Sequence, residues 1–303
     1  MKSDFIWMDG ELVPYQKAQV HVLTPTLHYG LGIFEGIRAY QTPNGTAAFR
    51  LQDHLKRFLH SAKIAGIRDF PYSTETLITA TLQTIHANQF SACYIRPYMY
   101  MTGPLGINPD EWEPAVSIAA WEWGPYLGEE AIRKGIHLMV SSFTRHHINV
   151  MMTKAKVSGN YVNSAYAKSL AVRSGFDEAV LLDPDGYVAE CSGENIFMVK
   201  DGTLYTPPLG TVLDGITRDC IIKLSRDLDL PLKEESISRD QLYISDEVFI
   251  CGTAAEVVPV REIDHRIIGD GKRGPITKQI QNAYHAAAKG NHSRSDQWLT
   301  YLD

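Results

Sequence analysis

The chain contains no apolar run approaching the ~18 residues that a membrane-spanning helix requires. Asp4, Asp9 and Glu11 interrupt the N-terminus where a secretory leader would need an unbroken apolar core. The sequence therefore reads as a cytosolic protein. Cysteine is scarce: Cys93, Cys191, Cys220 and Cys251 are scattered with no C-x-x-C pair, which excludes a disulfide framework and a zinc knuckle and predicts buried thiols. Positive charge is not in excess, with 29 Lys+Arg against 35 Asp+Glu and a net charge of −6, and no block of like charges forms a basic arm. Nothing here could hold a phosphate backbone, so nucleic acid is not an expected partner. Low-complexity tracts and internal repeats are absent, and 44% hydrophobic residues over 303 positions support a sizeable core, organised as one large domain or two.

The common chemical signatures are missing too. There is no G-x-x-x-x-G-K-[ST], no H-E-x-x-H, no G-x-S-x-G and no S-x-x-K. His28–Arg38 (HYGLGIFEGIR) carries glycines at 30, 32 and 36, one residue too widely spaced for a dinucleotide fingerprint, and no clean apolar strand precedes it. His146 and His147 are adjacent, and on a strand they would face opposite ways, so no shared metal is expected.

What is present is turn punctuation. Asp9-Gly10, Asn44-Gly45, Asp185-Gly186 and Asp201-Gly202 each lie between β-prone flanks, and such pairs predict hairpins and a largely antiparallel sheet. Helical periodicity appears after Asp53 as a cap, after Ser73, over Ile216–Leu228 and from Gly274-Pro275 to Gly290. The expected fold class is α+β (mixed α/β): a small N-terminal domain over 1–124, a Gly/Pro-rich connection over 125–134, and a larger domain over 135–303.

Three local patterns could carry chemistry, and each has an ordinary structural alternative. Lys154 and Lys156 lie among small residues before Gly159-Asn160; a desolvated lysine amine is a nucleophile, whereas an exposed one is mere surface. Leu213-Asp214-Gly215-Ile216-Thr217-Arg218 opens an amphipathic helix whose free N–H groups could take an anion, or it is simply a capped start. Cys251-Gly252-Thr253-Ala254-Ala255-Glu256 follows a strand as a small-residue turn that could form a backbone anion nest, or just a tight connection.

Taken together these patterns resemble a known family. Glu190-Cys-Ser-Gly-Glu-Asn195-Ile-Phe197, then Leu204 and Thr206, then the Leu213–Arg218 segment, resemble the signature of class IV, fold type IV pyridoxal-phosphate aminotransferases. HYGLGIFEGIR, Cys93-Tyr-Ile-Arg96-Pro97, Lys156-x-x-Gly159-Asn160-Tyr161 and Gly252-Thr-Ala-Ala-Glu256 resemble the branched-chain amino acid aminotransferases among them. The resemblance implies a fold type IV architecture with pyridoxal 5′-phosphate in an interdomain cleft and the cofactor lysine in the larger domain. It selects Lys156 over Lys154 as the Schiff-base lysine and proton carrier. Glu190 rather than Glu194 would pair with the pyridine nitrogen, and Tyr161 would hydrogen-bond the ring's phenolic oxygen. Arg57, Ile216, Thr217 and Thr253 would hold the phosphate, with Leu213 packed on the ring.

For the substrate, the resemblance implies an apolar wall of Tyr29, Phe34, Tyr94, Trp123 and Tyr126. Arg96 would meet the distal carboxylate of glutamate or 2-oxoglutarate, while Tyr94 and the N–H groups of Thr253 and Ala254 would take the α-carboxylate. Gly36 and Arg38 complete the segment, Arg38 as an orienting group. The expected reaction moves an amino group between L-leucine, L-isoleucine or L-valine and 2-oxoglutarate by a ping-pong route. No metal takes part, and the protein would be at least a homodimer, with a hexamer also open. Loop 101–108 (MTGPLGIN) departs from the glycine-rich loop expected in close relatives and touches substrate range. Alternative readings are a D-amino-acid or (R)-amine aminotransferase, an aminodeoxychorismate lyase, or a non-catalytic ligand-binding homologue.

Overall fold

The computed structural model describes residues 3–302 and divides them into two compact units. The first comprises residues up to Trp123, Lys154–Gly159 and residues from Ala287 on. Its strands are β1 (Phe5–Met8), β2 (Glu11–Pro14), β3 (Gly32–Phe34), β4 (Ile37–Thr42), β5 (Gly45–Phe49), β6 (Cys93–Thr102) and β7 (Glu113–Trp121). The second comprises Gly124–Thr153 and Asn160–Ala286. It holds β8 (Ile136–Val140), β9 (Glu178–Leu182), β10 (Val188–Cys191), β11 (Asn195–Lys200), β12 (Thr203–Thr206), β13 (Leu232–Glu234), β14 (Glu247–Gly252), β15 (Glu256–Ile263) and β16 (Arg266–Ile267). β17 (Leu299–Tyr301) returns to the first unit as an edge strand beside β5.

The first sheet runs β17-β5-β4-β6-β7-β1-β2, with β3 beside β6, and every pairing is antiparallel. The second runs β10-β9-β8-β15-β14-β11-β12-β13, with β16 beside β15, and mixes in parallel pairings at β8/β9, β8/β15 and β12/β13. All four Asx-Gly turns make the hairpins expected of them: β1/β2, β4/β5, β9/β10 and β11/β12. The glycine of each turn has positive φ, where a side chain would be strained.

The helices are α1 (Pro25–Tyr29), α2 (Leu51–Ile64), α3 (Thr74–Ala87), α4 (Glu129–Lys134), α5 (Tyr161–Arg173), α6 (Ile216–Asp227), α7 (Arg239–Tyr243), α8 (Pro275–Ala288) and α9 (Ser295–Trp298). In the first unit, Leu51, Leu55, Phe58 and Ala62 of α2 and Leu77 and Ile85 of α3 bury their faces with Ile33, Ile37, Ile95, Met99, Val116 and Ile118 of the sheet. In the second, Leu138, Val180, Ile196, Val248, Ile250 and Val258 form a separate core.

Three sequence-based expectations need adjusting. Ser73 caps α3 as expected, accepting from Thr76 N–H at 3.1 Å, but Asp53 is not the cap of α2. The N-cap is Arg50, in the left-handed region, and Asp53 lies in the first turn paired with its guanidinium. The stretch 125–134 is no bare connection, because 129–134 is α4, and Leu127, Ala131 and Ile132 pack on the second core. The segment with Lys156 also belongs to the first unit rather than the second, since it is hydrogen-bonded there: Gly159 N–H to Gly30 O at 3.0 Å and Phe34 N–H to Lys156 O at 3.1 Å. All four cysteines are buried, and none forms a disulfide. His146 and His147 lie on a loop, not a strand. Among the described residues no helix is long and apolar enough to cross a membrane.

Candidate active site

In the first unit the FEGIR segment, β6 and residues 154–159 bring most of the expected side chains together. Lys156 is fixed through its backbone before its side chain is considered. Its carbonyl accepts from Phe34 N–H, its own N–H donates to Ser61 Oγ at 3.0 Å, and Ser61 is fully buried on α2. Its Nζ then lies 4.7 Å from the centre of the Phe34 ring. The Arg96 guanidinium lies at the same distance, 4.7 Å, from that ring, and 5.5 Å from the Tyr94 ring. Arg96 Nη2 reaches Tyr94 Oη at 3.3 Å, while its buried Nε has no hydrogen-bond partner. Tyr94 packs edge-on against Trp123 at 4.8 Å, and Arg38 fastens that tryptophan by donating from Nη1 to Trp123 O at 3.0 Å.

Gly36 permits this arrangement. A Cβ there would fall 1.9 Å from Tyr94 Oη, so any larger residue would displace the tyrosine. Tyr29 stands apart from this group; it is 44% exposed and stacks on Trp112 at 5.5 Å.

Arg57 faces inward from α2, but the residue it meets was not anticipated. Its Nε donates to Glu35 Oε1 at 2.7 Å and its Nη2 to Glu35 Oε2 at 2.8 Å, and His54 Nδ1 lies 2.8 Å from the same Oε2. Burial pushes the Glu35 carboxyl up, but the Arg57 charge and the His54 and Arg57 hydrogen bonds outweigh it and hold the group well below the ordinary carboxylate range. His54 is driven down by burial, against the pull of Glu35, and is a neutral ring donating from Nδ1. Glu35 lies within the recognised HYGLGIFEGIR segment but no role was assigned to it there, and His54 belongs to no recognised motif.

In the second unit Glu190, at the end of β10, is the centre of a buried frame. Arg145 Nε lies 2.8 Å from its Oε1, although that N–H does not point along a hydrogen-bond axis. Its Oε2 accepts from Leu213 N–H at 3.1 Å and from Asn195 Nδ2 at 3.3 Å, and Asn195 also donates to Leu213 O at 3.2 Å. One amide thus ties Glu190 to the segment that opens α6. Arg145 escaped the sequence reading because it sits on an irregular loop, where no periodicity marks an inward side chain. Asn195 was inside the recognised motif, but its role is visible only in three dimensions.

α6 begins at Ile216 and Thr217, both buried, behind N-cap Gly215, which offers no side-chain acceptor to the first N–H groups. Thr253 and Ala254 lie in the β14/β15 turn, and Tyr161 is the first residue of α5. Tyr126 lies 5.9 Å from Lys168 Nζ, which is bonded to the fully buried Glu178 at 2.7 Å. Glu194 has a different environment from Glu190: burial, then the charge of Glu178, raises its carboxyl to about 8, so it is protonated at neutral pH.

Taken unit by unit, the amine of Lys156 and the guanidinium of Arg57 in the first, and the framed carboxylate of Glu190 and the α6 start in the second, are group types that suit a phosphorylated aromatic aldehyde. The Amino-transferase class IV family model matches residues 32–263. The branched-chain-amino-acid aminotransferase of Pseudomonas aeruginosa is 50% identical over 302 residues, covering 99% of this chain and 98% of its own length. Among solved structures, the T.th. branched-chain amino acid aminotransferase with pyridoxamine 5′-phosphate superposes with a TM-score of 0.96 at 49% identity over 100% of both chains. The same enzyme complexed with N-(5′-phosphopyridoxyl)-L-glutamate gives 0.95 at 47% identity, again over 100% of both. With a family model spanning most of its length and relatives matched from end to end, the chain belongs to the class IV aminotransferases, among the branched-chain amino acid aminotransferases.

Proposed function

We propose that this protein is a pyridoxal 5′-phosphate-dependent transaminase that exchanges the amino group between L-leucine, L-isoleucine or L-valine and 2-oxoglutarate. The observation that carries the reading is Lys156, clamped at both its N–H and its carbonyl and presenting Nζ over Phe34. When bound, the cofactor supplies an aldehyde that condenses with amines and a ring that accepts the electron pair released at the substrate α-carbon.

The chain's own residues do the rest. Lys156 would hold the cofactor through Nζ, and the same amine, when free, would carry the proton to and from the substrate α-carbon. Glu190 would pair with the ring nitrogen, and Arg145, Asn195 and Leu213 N–H hold its carboxylate in place. By the family resemblance, Tyr161 would donate to the phenolic oxygen, Arg57, Thr253, Ile216 and Thr217 would hold the phosphate, and Leu213 would pack on the ring. Phe34, Tyr94 and Trp123 would form the wall for a branched side chain, with Gly36 giving Tyr94 its room, and the family resemblance adds Tyr29 and Tyr126 to it. Tyr94 and the N–H groups of Thr253 and Ala254 receive the α-carboxylate.

The two substrates differ by a charge. A leucine side chain can lie on Phe34 while Arg96 rests on the same ring, and a glutamate side chain can draw Arg96 into a charge-assisted pair, for which its buried Nε is a waiting donor. Four buried thiols outside any disulfide suit a reducing cytoplasm, and exposed apolar side chains such as Val22 and Val150 suit a homodimer or larger assembly.

The experiment is an absorbance titration of protein loaded with pyridoxal 5′-phosphate. L-Leucine should bleach the visible band of the lysine-linked cofactor and 2-oxoglutarate should restore it, whereas Lys156→Ala should show neither change and lose more than about a thousandfold in turnover. Bleaching by D-alanine and not by L-leucine would overturn the substrate assignment.

A further inference from the structure

We propose that Glu35 is a positioning residue for the phosphate: it grips the Arg57 guanidinium by one edge of its fork and so fixes the direction in which Arg57 presents its remaining donors. The inference rests on the reading of Arg57 as a phosphate ligand. Glu35 is wholly buried, between Phe34 and Gly36, and its own N–H is tied to Pro97 O at 3.0 Å. Its two oxygens take Arg57 Nε and Nη2 at 2.7 and 2.8 Å, a bidentate geometry that fixes the plane of the guanidinium. His54 braces the carboxylate from the same helix at 2.8 Å.

His54, Arg57 and Ser61 are spaced to share one face of α2, and Ser61 holds the Lys156 backbone at 3.0 Å. One helix face therefore sets both the phosphate cation and the reactive amine. The pair also cancels charge: a carboxylate against a guanidinium beside a neutral imidazole leaves a directional donor rather than a diffuse positive field. An arginine that had only to supply charge would need no such buried partner, whose presence in the fold is costly unless it is fully bonded.

The test uses apoprotein titrated with pyridoxal 5′-phosphate and, separately, with phosphate-free pyridoxal, read by absorbance and tryptophan fluorescence. Glu35→Gln should raise the Kd for pyridoxal 5′-phosphate on the order of tenfold and leave that for pyridoxal within about twofold. In an Arg57→Gln background the same substitution should add less than about twofold, because Glu35 acts through Arg57. Equal weakening of both ligands would mean a merely structural pair and overturn the proposal, as would unchanged affinity or additive losses in the double variant. If Arg57→Gln itself left the two ligands' ratio unaltered, the phosphate assignment would fall, and the inference with it. Should Glu35→Gln not fold, Glu35→Asp, which keeps the charge and shortens the reach, is read by the same ratio.

Discussion

At the scale of single residues, the second unit sorts its buried carboxylates by environment. Glu190 is met by a guanidinium, an amide and a backbone N–H; Glu178 is met by Lys168; Glu194 has one N–H, from Gly193, and faces Glu178, Glu190 and Lys168. The consequence for stability has a definite sign. Glu194 is raised from 4.5 to about 8 in the folded protein, so between those values the folded chain keeps a proton that the unfolded chain has released. Stability falls as pH rises through that window and is unaffected by this group below it. Glu194→Gln keeps an acceptor for Gly193 and cannot ionise. Urea melts from about pH 5 to 8 should therefore show the wild type losing on the order of 1–3 kcal/mol relative to the variant. Parallel curves would mean that Glu194 ionises as readily folded as unfolded.

At the scale of elements, what was legible in the sequence was local, and what was not was made by contacts distant in the chain. The four Asx-Gly hairpins, the Ser73 cap and the apolar stripe of α2 depend on neighbours within a few residues, and they appear where the pattern put them. The pairing of β17 with β5, the parallel β8/β15 contact and the return of 154–159 to the first unit depend on residues far away, and no window of sequence contains them. The site divides in the same way. Lys156, Glu190 and the α6 start were marked by motifs, whereas Arg145 and His54 lie outside any motif, and Glu35, though inside one, has a part that shows only in what it touches.

The N-terminus of α8 shows how far such help can come. Ile276 N–H, Thr277 N–H and Thr277 Oγ1 all donate to Glu247, which belongs to β14, at 3.0, 2.7 and 2.6 Å. A Cβ at Gly274 would sit 2.0 Å from Glu247 Cδ and expel that carboxylate. Gly274→Ala should therefore cost roughly 2–3 kcal/mol in denaturant unfolding, about as much as Glu247→Ala, with little further loss in the double variant. Additive losses would show that the glycine serves some purpose other than making room for the cap.

At the scale of the whole molecule, each unit keeps its own core yet leaves large apolar side chains in water. In the first unit Val22, Leu23 and Leu27 are 69, 50 and 61% exposed, all on the connection into α1 and on α1 itself. In the second, Ile148, Val150 and Met152 are 46, 71 and 52% exposed on the irregular stretch before Lys154. Scattered apolar residues are ordinary on any surface, but runs of them on neighbouring positions are characteristic of a surface that is covered by another molecule. A second copy of the chain is the partner that such constitutive exposure suits, because it is present whenever the protein is. Light scattering on the eluting peak should then give a mass at least twice the 33.9 kDa of one chain. Val150→Asp and Val22→Asp should each shift the peak toward the single-chain mass, since a carboxylate forced into an apolar contact is costly to desolvate. The stretch bearing Val150 leads directly into Lys154–Gly159, so dissociation should also loosen the lysine segment. Weaker retention of pyridoxal 5′-phosphate in those two variants is expected alongside the mass change, and a wild-type chain eluting at 33.9 kDa with cofactor fully retained would refute the assembly.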